Sequence, residues 1–261
     1  MRHALIAFAV VTVAACSTPR GGGYYEDDGP HARPRRDIES VPDAVPRVEP
    51  LSRGGNRPYT VFNVRYTPLP TAVGYRERGI ASWYGKKFDG KKTSNGEVYD
   101  MYVMSAAHKT LPLPSYVRVR NLRNGRSVIV RVNDRGPFLH NRLIDLSYAA
   151  AARLGIVGSG TGLVEVEGID AAQPLTAQAP RARPENTRLY VQLGAFAERD
   201  NAERLHARLR RAGFNPALMP SDAGPTLYRV RCGPLESVEE SDRLIADLRA
   251  RGFADVSIAI D

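Results

Sequence analysis

The sequence predicts a mainly β protein with a second, α+β unit: a small β-barrel over residues 79–170, then a ferredoxin-like βαββαβ domain over residues 187–261. Three observations lead there. Short alternating apolar runs crowd the middle of the chain, an internal repeat fills its end, and a stretch poor in core-forming residues precedes each unit. A length of 261 residues suits two domains of roughly 80 to 120 residues each.

Residues 1–16 read as an export signal. Met1-Arg2-His3 is a short basic start, and the apolar run Ala4 to Val13 is too short to span a bilayer. Val13-Ala14-Ala15-Cys16 resembles a bacterial lipobox, so the mature chain is expected to begin at a lipidated Cys16; a plain signal peptide with a chance Cys is the other reading. Ser17 resembles an outer-membrane sorting signal. Residues 17–78 read as a disordered tether. Gly21-Gly22-Gly23 opens it, prolines from Pro30 to Pro70 punctuate it, and only Tyr59 to Val64 forms an apolar patch able to dock.

Within residues 79–170, strands are expected at Ile80 to Tyr84, Tyr116 to Leu122, Arg126 to Val132 and Leu163 to Glu167. Asn124-Gly125 marks a hairpin, with both turn positions at positive φ. One helix is expected from Ser147 to Leu154, with Ser147 as N-cap and Gly155 as the stop. Residues 171–186, rich in Ala, Gln and Pro, form a linker.

The closing repeat pairs Ala202 to Phe214 with Ser241 to Phe253. Both copies carry acid-Arg-Leu, Ala, Leu-Arg and then Gly-Phe, with apolar residues at helical spacing. Ser237 and Glu240 form a capping box. Strands are expected before each helix, at Leu189 to Leu193 and Tyr228 to Cys232. Others should follow, at Pro216 to Met219 and Asp255 to Ile260. One sheet face is then helix-covered and the other open.

The formal net charge is +9, with the excess in residues 71–170. A basic domain favours an anionic polymer. Nucleic acid is disfavoured, since no basic arm or RNA-reading motif is present and the chain carries an export signal. The five histidines have no metal-ligand spacing, no Gly-x-Ser-x-Gly elbow occurs, and Gly158 to Gly162 lacks the Lys of a phosphate loop. No metal or cofactor is expected. With Cys16 lipidated, Cys232 stands alone as a buried, inert thiol.

The barrel block carries linked motifs: Gly79-Ile80-Ala81-Ser82-Trp83-Tyr84-Gly85, Thr93-Ser94-Asn95-Gly96-Glu97, Ala106-Ala107-His108-Lys109-Thr110-Leu111-Pro112, Val132-Asn133-Asp134-Arg135-Gly136-Pro137-Phe138 and Arg142-Leu143-Ile144-Asp145-Leu146-Ser147. Together they closely resemble the rare lipoprotein A family of septal lytic transglycosylases, whose fold is a six-stranded double-psi β-barrel. Tyr190 to Phe196 and Tyr228 to Pro234 resemble a sporulation-related repeat (SPOR) domain, associated with glycan strands stripped of stem peptides. The resemblance implies Glu97, His108 and Asp134 as the functional acids and His. It implies a peptidoglycan substrate, an outer-membrane anchor facing the periplasm, enrichment at the division septum, and septal division proteins as candidate partners.

The chemistry fits such residues. A lytic transglycosylase protonates the leaving glycosidic oxygen and then closes the C6 hydroxyl of N-acetylmuramic acid onto C1, so one carboxyl can act as acid and then base. Asp134 is the candidate for that role, Glu97 for a neighbouring negative charge or for stabilising positive charge at C1, and His108 for orienting a carboxylate or binding sugar. Read as bare residues, Asn133-Asp134-Arg135 also suits a turn in which Asp134 accepts backbone amides and Arg135 makes an ion pair. Asp145 reads as a cap or brace. Trp83, Tyr84, Asn133 and Arg135 are substrate-binding candidates in the barrel, and Gln192, Phe196, Tyr228 and Arg231 in the repeat domain. A non-catalytic septal glycan-binding lipoprotein is the competing function.

Overall fold

The structure, a computed structural model, describes residues 28–33, 37–139, 141–173, 187–220 and 227–261. The segment read as an export signal, with Cys16, and residues 174–186 of the expected linker lie outside the described residues.

Six strands close the barrel: β3 (Arg76–Tyr84), β4 (Ser105–His108), β5 (Ser115–Asn121), β6 (Ser127–Asp134), β7 (Ile144–Ser147) and β8 (Gly162–Gly168). Around the barrel the order is β3-β7-β4-β6-β5-β8. The β3–β7 and β4–β6 pairs are parallel, the rest antiparallel. Period-two alternation turns Val117 and Val119, Val128, Val130 and Val132, and Val164 and Val166 into one core. Full burial of each such side chain stabilises by about 1.5–3 kcal/mol. Helix α1 (Tyr148–Leu154) begins where expected, with Ser147 Oγ accepting from Ala150 N and Gly155 stopping it at φ 74°.

The β5–β6 hairpin forms, but with a wider turn than the two-residue one expected. Only Gly125 has positive φ, and Asn124 instead uses its side chain to accept from Arg126 N at 2.9 Å. β4 and β7 were not separate strands in the sequence reading, because four residues are too few to show alternation.

The stretch read as a tether differs from that expectation between residues 37 and 75. It is docked on the barrel. Ile38, Val41 and Ala44 pack against the core, Arg153 of α1 donates to Val41 O and pairs with Asp43, and Glu49 pairs with Arg131. A hairpin, β1 (Tyr59–Val61) and β2 (Val64–Tyr66), follows. Composition signals that a segment lacks a core of its own. This one borrows the barrel's core and carbonyls, as in Ala44 N to Ile129 O and Leu69 N to Thr110 O.

The C-terminal unit is β9 (Leu189–Phe196), α2 (Arg199–Arg211), β10 (Pro216–Pro220), β11 (Tyr228–Leu235), α3 (Val238–Ala250) and β12 (Ser257–Ile260). Its antiparallel sheet runs β10-β11-β9-β12, the ferredoxin-like order. Val191, Leu193, Val230 and Cys232 face the helices. Burial pushes the Cys232 thiol up to about 11, which makes it unreactive. A second apolar cluster joins the units: Ile80, Leu122 and Leu163 on the outside of the barrel meet Leu189 and Val238. Asp242 of α3 pairs with Arg142 at 2.8 Å, and Arg123 donates to Glu236 O at 2.6 Å.

Candidate active site

A cleft of about 310 Å³ opens at the ends of β3, β6 and β7. Asp134, the last residue of β6, and Asp145, the second of β7, both line it. The register explains why. Strands β6 and β7 flank β4, and Ala107 of β4 is the partner of Asp134 on one side and of Asp145 on the other. Neighbouring strands lie about 4.8 Å apart, so the two acids stand roughly 9–10 Å apart at Cα, with only a methyl group between them. Both carboxyls line one cleft, and a pair of Asp or Glu residues flanking the scissile bond is the arrangement glycosidic chemistry commonly uses.

The two acids differ in surroundings. Asp134 Oδ1 accepts from Ser94 N (2.7 Å), Ser94 Oγ (2.6 Å) and Arg135 N (2.7 Å), which orients the carboxyl. Part of the turn reading therefore holds, since two of these donors are backbone amides. Asp145 is bonded by Ser82 Oγ from the paired position on β3. Burial in the barrel wall pushes its pKa up to about 6, and the charge of Asp134 adds to the rise.

The other candidates separate. Trp83 and Tyr84 line the cleft, with Trp83 against Tyr148 and Tyr84 stacked on Tyr99 at 4.1 Å. Arg135 lines it too, but makes no ion pair among the described residues. Its guanidinium donates to Gly55 O, Asn56 Oδ1, His108 O and Leu111 O, engaging all five N–H groups. Glu97 and Asn133 face a neighbouring groove. There Arg131 binds Glu97 at 2.6 and 2.8 Å, and Asn133 Nδ2 donates to it at 3.0 Å. Arg131 holds the Glu97 carboxyl below the usual range. Asn133 precedes Asp134 in a strand, so the two side chains point to opposite faces.

His108 is not brought into the cleft. Its Nδ1 accepts from Thr110 N and Leu111 N, so Nε2 carries the proton and donates to Tyr75 Oη at 3.0 Å. Burial lowers its pKa to about 3, with Lys109 and Arg135 adding to the effect. Among the described residues, no group of three or more His, Cys, Asp or Glu could hold a metal ion.

Residues that sequence reasoning missed complete the rim. Asp28 lines the cleft while its carboxylate accepts from Gly85 N and Lys87 N. Gly85 permits this approach, because a Cβ there would lie 2.2 Å from Gly29 O. Phe62 from the β1–β2 turn, Phe88 and Phe138 supply further aromatic wall.

In the C-terminal sheet, alternation puts Gln192 and Arg231 on the face away from the helices. Arg231 donates to Gln192 Oε1 at 2.9 Å, pairs with Asp261 at 2.6 Å and lies over the Tyr190 ring. Phe196 and Tyr228 instead pack on the helix side.

Comparison with known proteins agrees with this architecture. Residues 76–166 match the family described as lytic transglycolase, and residues 185–259 the SPOR domain. The endolytic peptidoglycan transglycosylase RlpA of Pseudomonas aeruginosa (strain UCBPP-PA14) is 40% identical over 97% of this chain and 94% of its own length. The chain belongs to the RlpA family. The RlpA of Vibrio cholerae is also 40% identical, over 94% of this chain and 91% of its own. The RlpA of Neisseria meningitidis serogroup A is 46% identical, over 81% and 86%. Membership in the RlpA family accords with a closed six-stranded barrel followed by a ferredoxin-like sheet.

Proposed function

We propose that this chain is an endolytic peptidoglycan transglycosylase that cuts the β-1,4 bond between N-acetylmuramic acid and N-acetylglucosamine in peptide-free glycan strands. The observation that carries the mechanism is the carboxyl pair facing one cleft across Ala107. Its acid assignment departs from the sequence reading. Asp145, poised near neutrality, protonates the glycosidic oxygen as the C1–O bond breaks. The Asp134 carboxylate, in place of Glu97, stabilises the positive charge at C1. The muramyl C6 hydroxyl then bonds to C1 and returns its proton to Asp145, so no water is added. Glu97 and His108 are positioning residues. Through Asn133, Glu97 steadies the end of β6, and the His108 carbonyl holds Arg135 next to Asp134.

Digestion of purified peptide-free strands, with mass spectrometry of the products, tests this. Ends in 1,6-anhydro-N-acetylmuramic acid, about 18 mass units lighter than hydrolytic ends, are expected. Reducing ends alone would make the protein a hydrolase. Intact strands that remain bound to the protein would favour a glycan-binding scaffold.

The C-terminal domain binds such strands, a reading the SPOR match supports; on the face away from the helices Gln192 is the partly exposed residue, held by the buried Arg231, and Tyr190 is buried. The lipobox supports attachment at Cys16 to the outer membrane, facing the periplasm, and the SPOR match supports enrichment at the septum among division proteins.

A further inference from the structure

The β1–β2 hairpin lies before the matched barrel residues, and its turn is expensive in backbone terms. Val61 pairs with Val64, so Phe62 and Asn63 alone make the turn, at φ 48° and 61°. Asn tolerates that conformation, whereas a bulky residue rarely adopts it, and Gly or Asn would make the same turn more readily. The Phe62 ring is nevertheless 78% exposed, so burial does not compensate for its placement. What the ring does is line the cleft that holds Asp134 and Asp145.

The hairpin is braced to hold it there. Tyr59 and Tyr66 stack at 5.2 Å, both meet Phe138, and Tyr59 donates to Lys109 O at 2.7 Å. Arg135, the neighbour of Asp134, lies 5.8 Å over the Tyr59 ring. The aromatic arm is thus tied to the strand end that carries one acid.

We infer that Phe62 is a sugar-binding platform: its exposed face stacks on a pyranose ring of the glycan strand beside the carboxyl pair. A pyranose presents a face of C–H groups, which suits an aromatic ring, while its hydroxyls stay in water. The inference deepens the glycan reading of the cleft and rests on it.

Trp83, the one Trp of the chain, lines the same cleft, so its fluorescence reports occupancy independently of turnover and of the C-terminal domain. The test titrates a peptide-free glycan tetrasaccharide into the full chain, wild type and Phe62→Asn, which suits the turn. Kd and KM should rise about 3- to 10-fold in the variant, with an unfolding midpoint no lower than wild type, and Phe62→Tyr should restore both. Unchanged Kd and KM in Phe62→Asn overturn the platform, as does a wild type whose Trp83 emission and calorimetric heats both ignore the glycan. Loss of co-sedimentation with anionic lipid vesicles at unchanged glycan Kd would also overturn it, making Phe62 a membrane contact. A wild type that binds with the expected Phe62 dependence but cuts nothing removes the catalytic reading alone.

Discussion

Asp145 carries a cost in the fold, and the acid role proposed for it would account for that cost. Its pKa rises from 3.8 to about 6 on folding, so the folded state favours the protonated form. The associated stability is fully present below pH 3.8 and is lost as pH rises through 6. Near neutral pH the charged form destabilises the fold by about 1–3 kcal/mol. Asp145→Asn should therefore raise the unfolding midpoint at pH 7.5 and not at pH 4, while lowering turnover on the order of 10²–10⁴-fold. A variant stabilised equally at both pH values would show that the gain is not electrostatic. In the wild type kcat/KM should decline as pH rises above about 6, as the acid deprotonates, which a pH–rate profile reads directly. The motifs named Trp83, Tyr84, Asp134 and Arg135, which the structure places at one cleft, while the pairing of Asp134 with Asp145 was not legible there. Asp145 lies in a strand of four residues, too short to show alternation, and its place just before a helix suggested a cap or brace. What sets Asp134 and Asp145 at one cleft is the shared partner Ala107, a long-range pairing that no local spacing displays.

Elements with a local cause were readable from the chain. Ser147 and Gly155 bound α1, and Ser237 Oγ accepts from Glu240 N at the start of α3. In that box the Glu240 carboxylate reaches Glu236 N and not the amide of Ser237 itself. Ser147→Ala should cost about 1 kcal/mol or more, since the cap is fully buried; denaturant unfolding at constant m measures it. A loss below a few tenths would mean that packing alone fixes α1. Elements whose cause is distant were not readable. The four-residue strands β4 and β7 exist because partners on both sides supply their ladders, and the Pro-rich stretch is ordered by the barrel surface it borrows. The β1–β2 turn was hidden because Phe62-Asn63 violates the turn preferences that make such signals recognisable.

At the scale of the whole chain, two predictions concern attachment. Cys16→Ser should release the protein from the outer membrane; unchanged, detergent-dependent membrane association would argue against a lipid anchor. Residues 187–261 carry the complete ferredoxin-like sheet and should be retained by amidase-treated sacculi. Equal retention by untreated sacculi would remove the preference for denuded strands. The order of the two units was plain from the repeat and the motifs. Their contact was not, because Ile80, Leu122 and Leu163 read simply as strand residues until both faces of the barrel wall are seen to be apolar.

That apolar seam, clasped by Asp242 on Arg142, has a consequence for how the glycan is measured out. Under the proposed function, a strand bound by the C-terminal sheet would meet the cleft at a reach set by this seam. Fragments from the wild type should cluster around a preferred number of disaccharides, and Asp242→Lys, which places a like charge against Arg142, should broaden that ladder on a sizing column without changing the chemistry of the ends.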